Sequence, residues 1–417
     1  MRFSKLKIKT LRDIKSEETS KGTTLLLRAR YVVKVGSGIY EYLPFGLRVL
    51  QKISKIIREE MEKIGGIEIV MPALHPKKYW QQTNRWQKFD ALFKLKSRFG
   101  QEFALGATHE EIITPLAKEF IHSYKDLPLF LYQIQTKFRD EPRAKSGLLR
   151  CKEFLMKDLY SFHRDEADLD KYYEKVKKSY QRIFRKIGLA SIIVEASGGT
   201  FSKFSHEFQV ISPVGEDTVF YCPHCHFARN KEIVTKLTKC PICDHPLQQV
   251  KAIEVGNIFK LKEQYSRAFN LKYKDRKGEE HFVSMGCYGI GISRLLGVLA
   301  EIYNDDQGLT FPKSVAPYQY HLLSLYSGDK KTDKKIKQAA EKLYDRVTKA
   351  GKEILFDDRE NVTNGEKLKD ADLIGIPYRV VISQRTLKRN SCEIKPRTSN
   401  RVRLIKLTDF VKITNNL

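Results

Sequence analysis

Phe138-Arg139-Asp140-Glu141-Pro142-Arg143-Ala144-Lys145-Ser146-Gly147-Leu148-Leu149-Arg150-Cys151-Lys152-Glu153-Phe154-Leu155-Met156-Lys157-Asp158-Leu159-Tyr160-Ser161-Phe162-His163 is the stretch on which the reading of this 417-residue chain turns. It reads as strand, loop, strand. Tyr132 to Phe138 is a short β-rich run, and Glu141 to Gly147 holds proline, glycine and charges, as turns do. Arg150 to Phe162 resumes with apolar residues set among polar ones. Three arginines, Arg139, Arg143 and Arg150, fall within twelve residues. Arg139 stands two residues before Glu141, which on a strand places both on one face. A fixed guanidinium beside a carboxylate suits a ligand that is anionic at one end and carries donors at the other. Nucleotides are of this kind, because phosphate oxygens accept a bidentate arginine fork. An isolated Arg-x-Glu would be read as an ion pair on a surface hairpin, so the rest of the chain has to decide.

Length and composition narrow the classes. At roughly 150 residues per domain the chain has room for two or three domains. Hydrophobic residues make up 41%, enough for folded cores, and the formal charge is +26. Such a charge fits a solvated, lysine-rich surface or a polyanionic partner, since Lys and Arg displace counterions from a phosphate backbone. No apolar run approaches a membrane span of about 20 residues. The first ten residues lack the apolar centre of a secretion signal, which points to the cytoplasm. Four of the seven cysteines form two pairs, Cys222-Pro-His-Cys225 and Cys240-Pro-Ile-Cys243, fourteen residues apart. Two such knuckles can give four thiolates to a tetrahedral Zn²⁺, and a closed set of four makes the metal structural rather than catalytic.

The quoted stretch closely resembles motif 2 of the class II aminoacyl-tRNA synthetases, in the version carried by bacterial-type prolyl-tRNA synthetases. Other passages resemble that family in the same order. Leu47, Leu50, Ile53, Ile57, Met61 and Ile64 recur at helical steps, Gly65-Gly66 closes the helix, and Ile67 to Met71 reads as a strand stopped by Pro72. Helix, strand and proline resemble motif 1, which implies a homodimer through this segment. Trp80 and Trp86 lie in a passage the family shares, and core packing is expected of both rings. Ala107-Thr108-His109-Glu110-Glu111 resembles the family's Thr-x-Glu loop. A hydroxyl and a carboxylate two residues apart can accept both N–H groups of a secondary ammonium. Read alone, the same residues would cap a helix and fill its first turn with acids. Leu169, Tyr172, Val176, Tyr180, Ile183 and Ile187 mark a structural helix over 166–187. Ser205-His206-Glu207-Phe208-Gln209 matches the family, where the histidine lies near the proline ring. Phe201-Ser202-Lys203, just upstream, departs from the usual Gly-Gly-Ser run, so the loop that closes over the amino acid is expected to differ.

Met285-Gly286-Cys287-Tyr288-Gly289-Ile290-Gly291-Ile292-Ser293-Arg294 resembles motif 3. The glycines permit close approach to a ligand, and Arg294 falls on the first turn of the next helix. Between Phe227-Ala228-Arg229-Asn230 and Glu254-Val255-Gly256 larger members carry an editing domain; here a short cysteine-bearing connector fills the interval. Beyond Phe311-Pro312, strands are expected at 320–325, 353–356 and 378–382, with helices near 331–350 and 365–373, in α/β order. Residues 314–417 hold 22 Lys/Arg against 13 Asp/Glu. Phe356-Asp357-Asp358-Arg359 and Leu373-Ile374-Gly375-Ile376-Pro377 resemble signatures of the family's anticodon-binding domain.

The resemblance implies an α+β protein. Residues 1–312 would form a class II catalytic domain, an antiparallel sheet flanked by helices, with a small zinc-ribbon-like insertion at 220–252. Residues 313–417 would form an α/β anticodon-binding domain. It implies an ATP-dependent proline–tRNA ligase with Mg²⁺, L-proline and tRNA(Pro) as its ligands and no cis-editing of Ala-tRNA(Pro). Arg139, Glu141 and Arg294 would be catalytic, and Thr108, Glu110, His206 and Cys287 would hold proline. Arg139, Arg150, Phe154, Gly289, Gly291 and Arg294 would hold ATP, Arg359 and Glu360 would read the anticodon, and Cys222, Cys225, Cys240 and Cys243 would hold zinc. Two alternatives stand beside it: a class II synthetase for another small amino acid, and a synthetase-like paralogue that binds nucleic acid without catalysis. A class I synthetase is excluded, because neither His-x-Gly-His nor Lys-Met-Ser-Lys-Ser occurs.

Overall fold

Residue period decides each element of the quoted stretch. In a computed structural model, which describes residues 1–14, 20–142, 146–199, 204–234 and 236–414, it folds as two antiparallel strands, Leu129–Phe138 and Glu153–His163. A 3-10 turn, Gly147–Leu149, lies between them. Arg143, and the divergent Phe201-Ser202-Lys203 run, fall outside the described residues. One local expectation changes. The first strand stops at Phe138, so Arg139 and Glu141 do not share a strand face. The Glu141 N–H instead donates to the Arg139 carbonyl at 2.8 Å, a tight turn that Pro142, with no N–H of its own, keeps from extending.

These strands lie inside a nine-stranded sheet. Its order from one edge is Phe204–Ile211, Ser191–Ser197, Ala228–Asn230, Asp217–Tyr221, Gln248–Lys262, Ser284–Gly291, Glu153–His163, Leu129–Phe138 and Ile67–Glu68. Neighbours run antiparallel except at Ala228–Asn230 beside Ser191–Ser197 and at the Ile67–Glu68 edge. Phe204–Ile211 also pairs with Gln248–Lys262, so five strands at that end close on themselves.

The helix Glu166–Ile187 covers one face. Asp165 caps it by accepting the Asp168 N–H, Gly188 ends it at φ 93°, and the whole expected stripe is buried. Tyr180 and Phe184 pack on Phe208, and Lys157 reaches the Tyr180 hydroxyl. Alternation then sends Phe154, Met156 and Asp158 to the opposite face, where a cleft opens.

The helix Pro44–Lys63 is as expected, with Leu50, Ile53, Ile57 and Met61 buried, though Leu47 is exposed. The strand after it is only Ile67–Glu68, not Ile67 to Met71. Ile69 still donates to Tyr132 O at 2.8 Å, but the Gln133 side chain takes the Met71 N–H and Pro72 has none to give. Trp80 and Trp86 are buried with Leu92, Ala104 and Ala107, as the packing expectation has it.

The chain forms two compact units, one of Gly36–Tyr40 and Ile53–Val298, the other of Met1–Val35, Glu41–Lys52 and Leu299–Leu417. The first holds the large sheet. The second holds a five-stranded sheet in the order Ile354–Asp357, Tyr320–Ser324, Tyr378–Ile382, Ser391–Pro396, Arg403–Lys406. Its first three strands are parallel, as α/β order demands, and the last two are added antiparallel. The helices Lys330–Lys349 and Asn364–Ile374 follow the expected segments closely.

Candidate active site

The cleft, about 280 Å³, is lined by Thr108, Glu110, Arg139, Glu141, Arg150, Phe154, Cys287, Gly289, Gly291 and Arg294. Side chains that lie up to 186 positions apart along the chain therefore meet in one space.

At one end the helix Glu110–Lys118 begins. Its N-cap is His109, whose side chain makes no capping bond. The Thr108 hydroxyl instead donates to Glu110 Oε2 in a close bond, and the Cys287 thiol donates to Glu110 Oε1 at 2.9 Å. Burial, with Glu110 beside it, pushes the Cys287 thiol well up, so it is a neutral donor and not a nucleophile. Beneath this trio lies Arg85, sandwiched between Trp80 and Phe89. It donates to Glu111 at 2.8 Å and stands 3.7 Å from Glu110. Burial raises Glu111 to about 7 against the pull of Arg85. Lys137 bridges Asp158, at 2.8 Å, and His109 Nδ1, at 2.9 Å, while Asp158 also accepts from Gln133 and Tyr160. Burial and then Lys137 lower His109, which keeps it neutral. None of Arg85, Lys137 or Asp158 stands out in the sequence. Arg85 is hidden between two tryptophans whose packing explains the passage without it.

At the other end two guanidinium groups face one space. Arg139 lies just past its strand with its guanidinium 5.3 Å from the Phe154 ring, and burial and then Arg294 lower its pKa. Arg294, on the first turn of Ile292–Ile302 as expected, donates to Glu254 Oε2 at 2.8 Å and to Leu149 O at 2.9 Å. Burial works against its charge, but Glu254 prevails and raises it. Arg150 pairs with Glu141 at 2.8 Å and with Glu216 at 3.0 Å. A Cβ on Gly289 would touch Met156 of the neighbouring strand at 3.7 Å, so the glycine keeps the floor low. Glu254 was visible only as a landmark beside Gly256. Glu207 and Asp217 also border this space; Glu207 lies inside the Ser205–Gln209 motif, which points to His206 and gives Glu207 no role.

His206 is not brought to the cleft. It shares a strand face with Phe208, toward Glu166–Ile187, and the Tyr173 hydroxyl meets its Nδ1 at 2.8 Å. The next residue, Glu207, has the cleft side, because strand neighbours alternate.

In the other unit Arg359 is committed to structure. It donates to Asp357 Oδ1 and Oδ2 at 2.8 and 2.6 Å and to Asp370 at 2.9 Å, and its guanidinium lies 4.1 Å from the Phe3 ring. Asp357 and Asp370 thus hold its Nε and Nη2, while its Nη1 makes no hydrogen bond among the described residues. Glu360 is exposed and pairs with Lys337 at 2.7 Å.

The four cysteines converge, every Sγ within 4.8 Å of the others. Each knuckle turns through a left-handed residue, His226 and Asp244, whose N–H groups donate back to Cys222 O and Cys240 O at 2.9 Å each. Backbone N–H groups of Cys225 and His224 pull the Cys222 thiol down, while, against the Phe227 and His245 N–H groups, burial and the neighbouring thiols push Cys225 and Cys243 up.

The chain matches the family model described as the tRNA synthetase class II core domain (G, H, P, S and T) over residues 93–303, and the anticodon binding domain over 321–417. A proline–tRNA ligase of Anaplasma phagocytophilum is 37% identical, over 99% of each chain. A probable mitochondrial proline–tRNA ligase of Rattus norvegicus is 40% identical over 89% of this chain and 80% of its own. A proline–tRNA ligase of Dehalococcoides mccartyi is 32% identical over 99% of this chain and 98% of its own, across 562 aligned positions. That relative thus carries well over a hundred residues with no counterpart here. The solved structure of Giardia lamblia prolyl-tRNA synthetase in complex with prolyl-adenylate shares the fold, with a TM-score of 0.77 at 21% identity over 93% of this chain and 74% of its own.

Proposed function

This chain belongs to the class II aminoacyl-tRNA synthetases, among the proline–tRNA ligases, and we propose that its cleft activates L-proline with ATP and passes it to tRNA(Pro). Thr108 and Glu110 accept the two N–H groups of the prolinium, whose charge matches the buried carboxylate. Cys287 forms the wall beside the ring. Arg139 meets the α-phosphate, Phe154 and Arg294 take the two faces of adenine, and Gly289 and Gly291 leave room for the ring. Glu141 and Arg150 close the nucleotide end. In the first step a proline carboxylate oxygen bonds to the α-phosphorus while the bond to the β-phosphate breaks and pyrophosphate leaves. Arg139 offsets the charge that builds on the α-phosphate.

Mg²⁺, bound with ATP, would offset phosphate charge. Glu216, exposed at the rim of the adjoining cavity, offers carboxylate oxygens of the kind a hard cation takes. Zinc fits the four cysteines. Neighbouring sulfurs at 3.4 and 3.5 Å are close to the separation of about 3.8 Å that Zn–S bonds of about 2.3 Å impose on a tetrahedron. Elemental analysis of fresh protein is expected to give one zinc per chain; none would overturn the assignment.

Residues 1–312, with the insertion 220–252, carry the chemistry, and 313–417 meet the anticodon through Arg359, by its Nη1 edge, and the exposed Glu360. The protein acts in the cytoplasm, and no helix of the described residues is long and apolar enough to cross a membrane. It forms a homodimer through the Pro44–Lys63 helix and the Ile67–Glu68 edge. It lacks cis-editing, so added Ala-tRNA(Pro) is expected to survive incubation with it. A pocket that fits proline still admits alanine, because a missing methylene is worth only about 1–3 kcal/mol.

One observation carries the reading: Glu110, Arg139 and Arg294 line the same cleft. Pyrophosphate exchange measured with each of the twenty amino acids tests it. Exchange is expected with proline above all others; faster exchange with another amino acid, or none at all, overturns it.

A further inference from the structure

Glu207 is a cleft-lining carboxyl that the roles above leave unused. It sits on Phe204–Ile211 directly across from Asn257, and Asn257 is paired in turn with Gly289. The next row one pleat away on those strands is Phe259 with Cys287, and Cys287 touches Glu110. In the other direction along the same strand lies Glu254, which holds Arg294. Glu207 therefore stands between the end that suits an ammonium and the end that suits a nucleotide. That is the level at which a prolyl carbonyl and an α-phosphate would be joined.

Its partners are unlike those of its neighbours. Glu110, Glu141, Asp158 and Glu254 each have an arginine or lysine within 4 Å. Among the described residues Glu207 has no ion-pair partner. It accepts from two amides, Gln209 Nε2 at 2.5 Å and Asn257 Nδ2 at 3.2 Å, and Gln209 also donates to Asp217 at 3.1 Å. The Asn257 Oδ1 atom is buried and has no donor among the described residues. A carboxylate and an unsatisfied amide oxygen side by side form a place for a hydroxyl-bearing ligand, since each hydroxyl brings one donor.

We propose that Glu207 is a catalytic residue of the transfer step, accepting the proton of the tRNA's terminal ribose hydroxyl as that hydroxyl attacks the prolyl carbonyl. The bond from ribose oxygen to carbonyl carbon forms. The bond from that carbon to the α-phosphate oxygen breaks, and AMP leaves with its electron pair. The proton stays on Glu207 and passes to solvent before the next turnover. The inference rests on the prolyl-transfer reading above. Burial, then Glu254, and after it Asp217 and Glu232, raise Glu207 to about 9, with the Gln209 amide opposing and Arg294 facing Asp217. Only the ionised acid can take the proton, so transfer speeds up as pH rises toward that value.

The test mixes enzyme-bound prolyl-adenylate with a tRNA(Pro) transcript and follows a single turnover, beside pyrophosphate exchange on the same preparations. Glu207→Gln is expected to slow transfer about 100-fold more than it slows exchange, within the range of general base catalysis, and to abolish the rise with pH. Equal effects on both steps, or a retained pH slope, overturn the proposal. Asp217→Asn provides a second reading should Glu207→Gln fold poorly. Losing that neighbouring carboxylate is expected to move the rise of transfer to lower pH; an unmoved or upward-moved profile overturns the proposal. Wild-type enzyme that fails to exchange pyrophosphate with proline would instead sink the ligase reading itself, which separates the two failures.

Discussion

Arg139 is placed where a cation is poorly served by its own protein. The one hydrogen bond of its guanidinium among the described residues is a long one, 3.4 Å to Ala107 O, and burial and Arg294 both act against its charge. A group so placed contributes little to folding and waits for an anion. Arg139→Met is therefore expected to lower the kcat of pyrophosphate exchange by 100- to 1,000-fold, roughly 3–4 kcal/mol, while the thermal midpoint holds or rises. A fall in both would mean the residue is structural. Glu110 is the converse case, its two oxygens already engaged by Thr108 and Cys287 and its charge matched to an incoming cation. Glu110→Gln is expected to raise the KM for proline about 10- to 100-fold, the worth of a charge-assisted bond, with the KM for ATP changing far less. Equal rises in both KM values would place Glu110 elsewhere in the mechanism. These residues are legible in sequence because each lies inside a short motif with fixed spacing. The pairing of Glu207 with Asn257 is not, since the two meet through cross-strand register between segments some fifty residues apart. The same register explains His206: in Ser205-His206-Glu207 only one of two neighbours can face the cleft, and a motif does not say which.

Elements with a strong period were readable almost to their ends. Glu166–Ile187 carries a continuous apolar stripe, an acidic cap and a closing glycine, and local chemistry alone defines it. The segment after Gly66 was not, because a side chain, Gln133, takes the backbone donor that a longer strand would need. What joins Pro44–Lys63 to Glu166–Ile187 also escaped the sequence. The Glu60 carboxylate, 1% exposed, accepts from Lys63 at 2.9 Å and from Arg182 and Lys186 at 2.8 Å each. Burial pushes its pKa up, but the three cations outweigh burial and bring it from the usual 4.5 down to about 2. A carboxyl lowered on folding stabilises above its unfolded pKa and loses that contribution as pH falls toward the folded value. Glu60→Gln is expected to cost roughly 1–3 kcal/mol at pH 7 in urea unfolding. The gap between variant and wild type should close between pH 4.5 and about 2. A gap that stays constant across that window would mean packing, not charge, is what Glu60 supplies.

For the molecule as a whole, the exposed edge of the large sheet is the feature that calls for a partner. Ile67–Glu68 is its last strand, paired on one side only. Beside that open edge Ile67 is 55% and Val70 84% exposed. Unpaired backbone with apolar side chains is an aggregation hazard unless something covers it, and a second copy pairing about a two-fold axis covers both edges at once. Solution light scattering is therefore expected to give about twice the 48.5 kDa mass of the chain. Val70→Asp would place a charge on each side of the axis, where the two repel. It is expected to yield a folded monomer, because Val70 packs against nothing that its own chain needs buried. A wild-type protein that remains at 48.5 kDa at micromolar concentration would remove the dimer. A Val70→Asp protein that stays dimeric would move the interface to another face. Because the Leu129–Phe138 strand lies directly between this edge and the Glu153–His163 strand of the cleft, loss of the partner is also expected to lower exchange activity more than it lowers the thermal midpoint. The reverse order would mean the edge matters to stability alone.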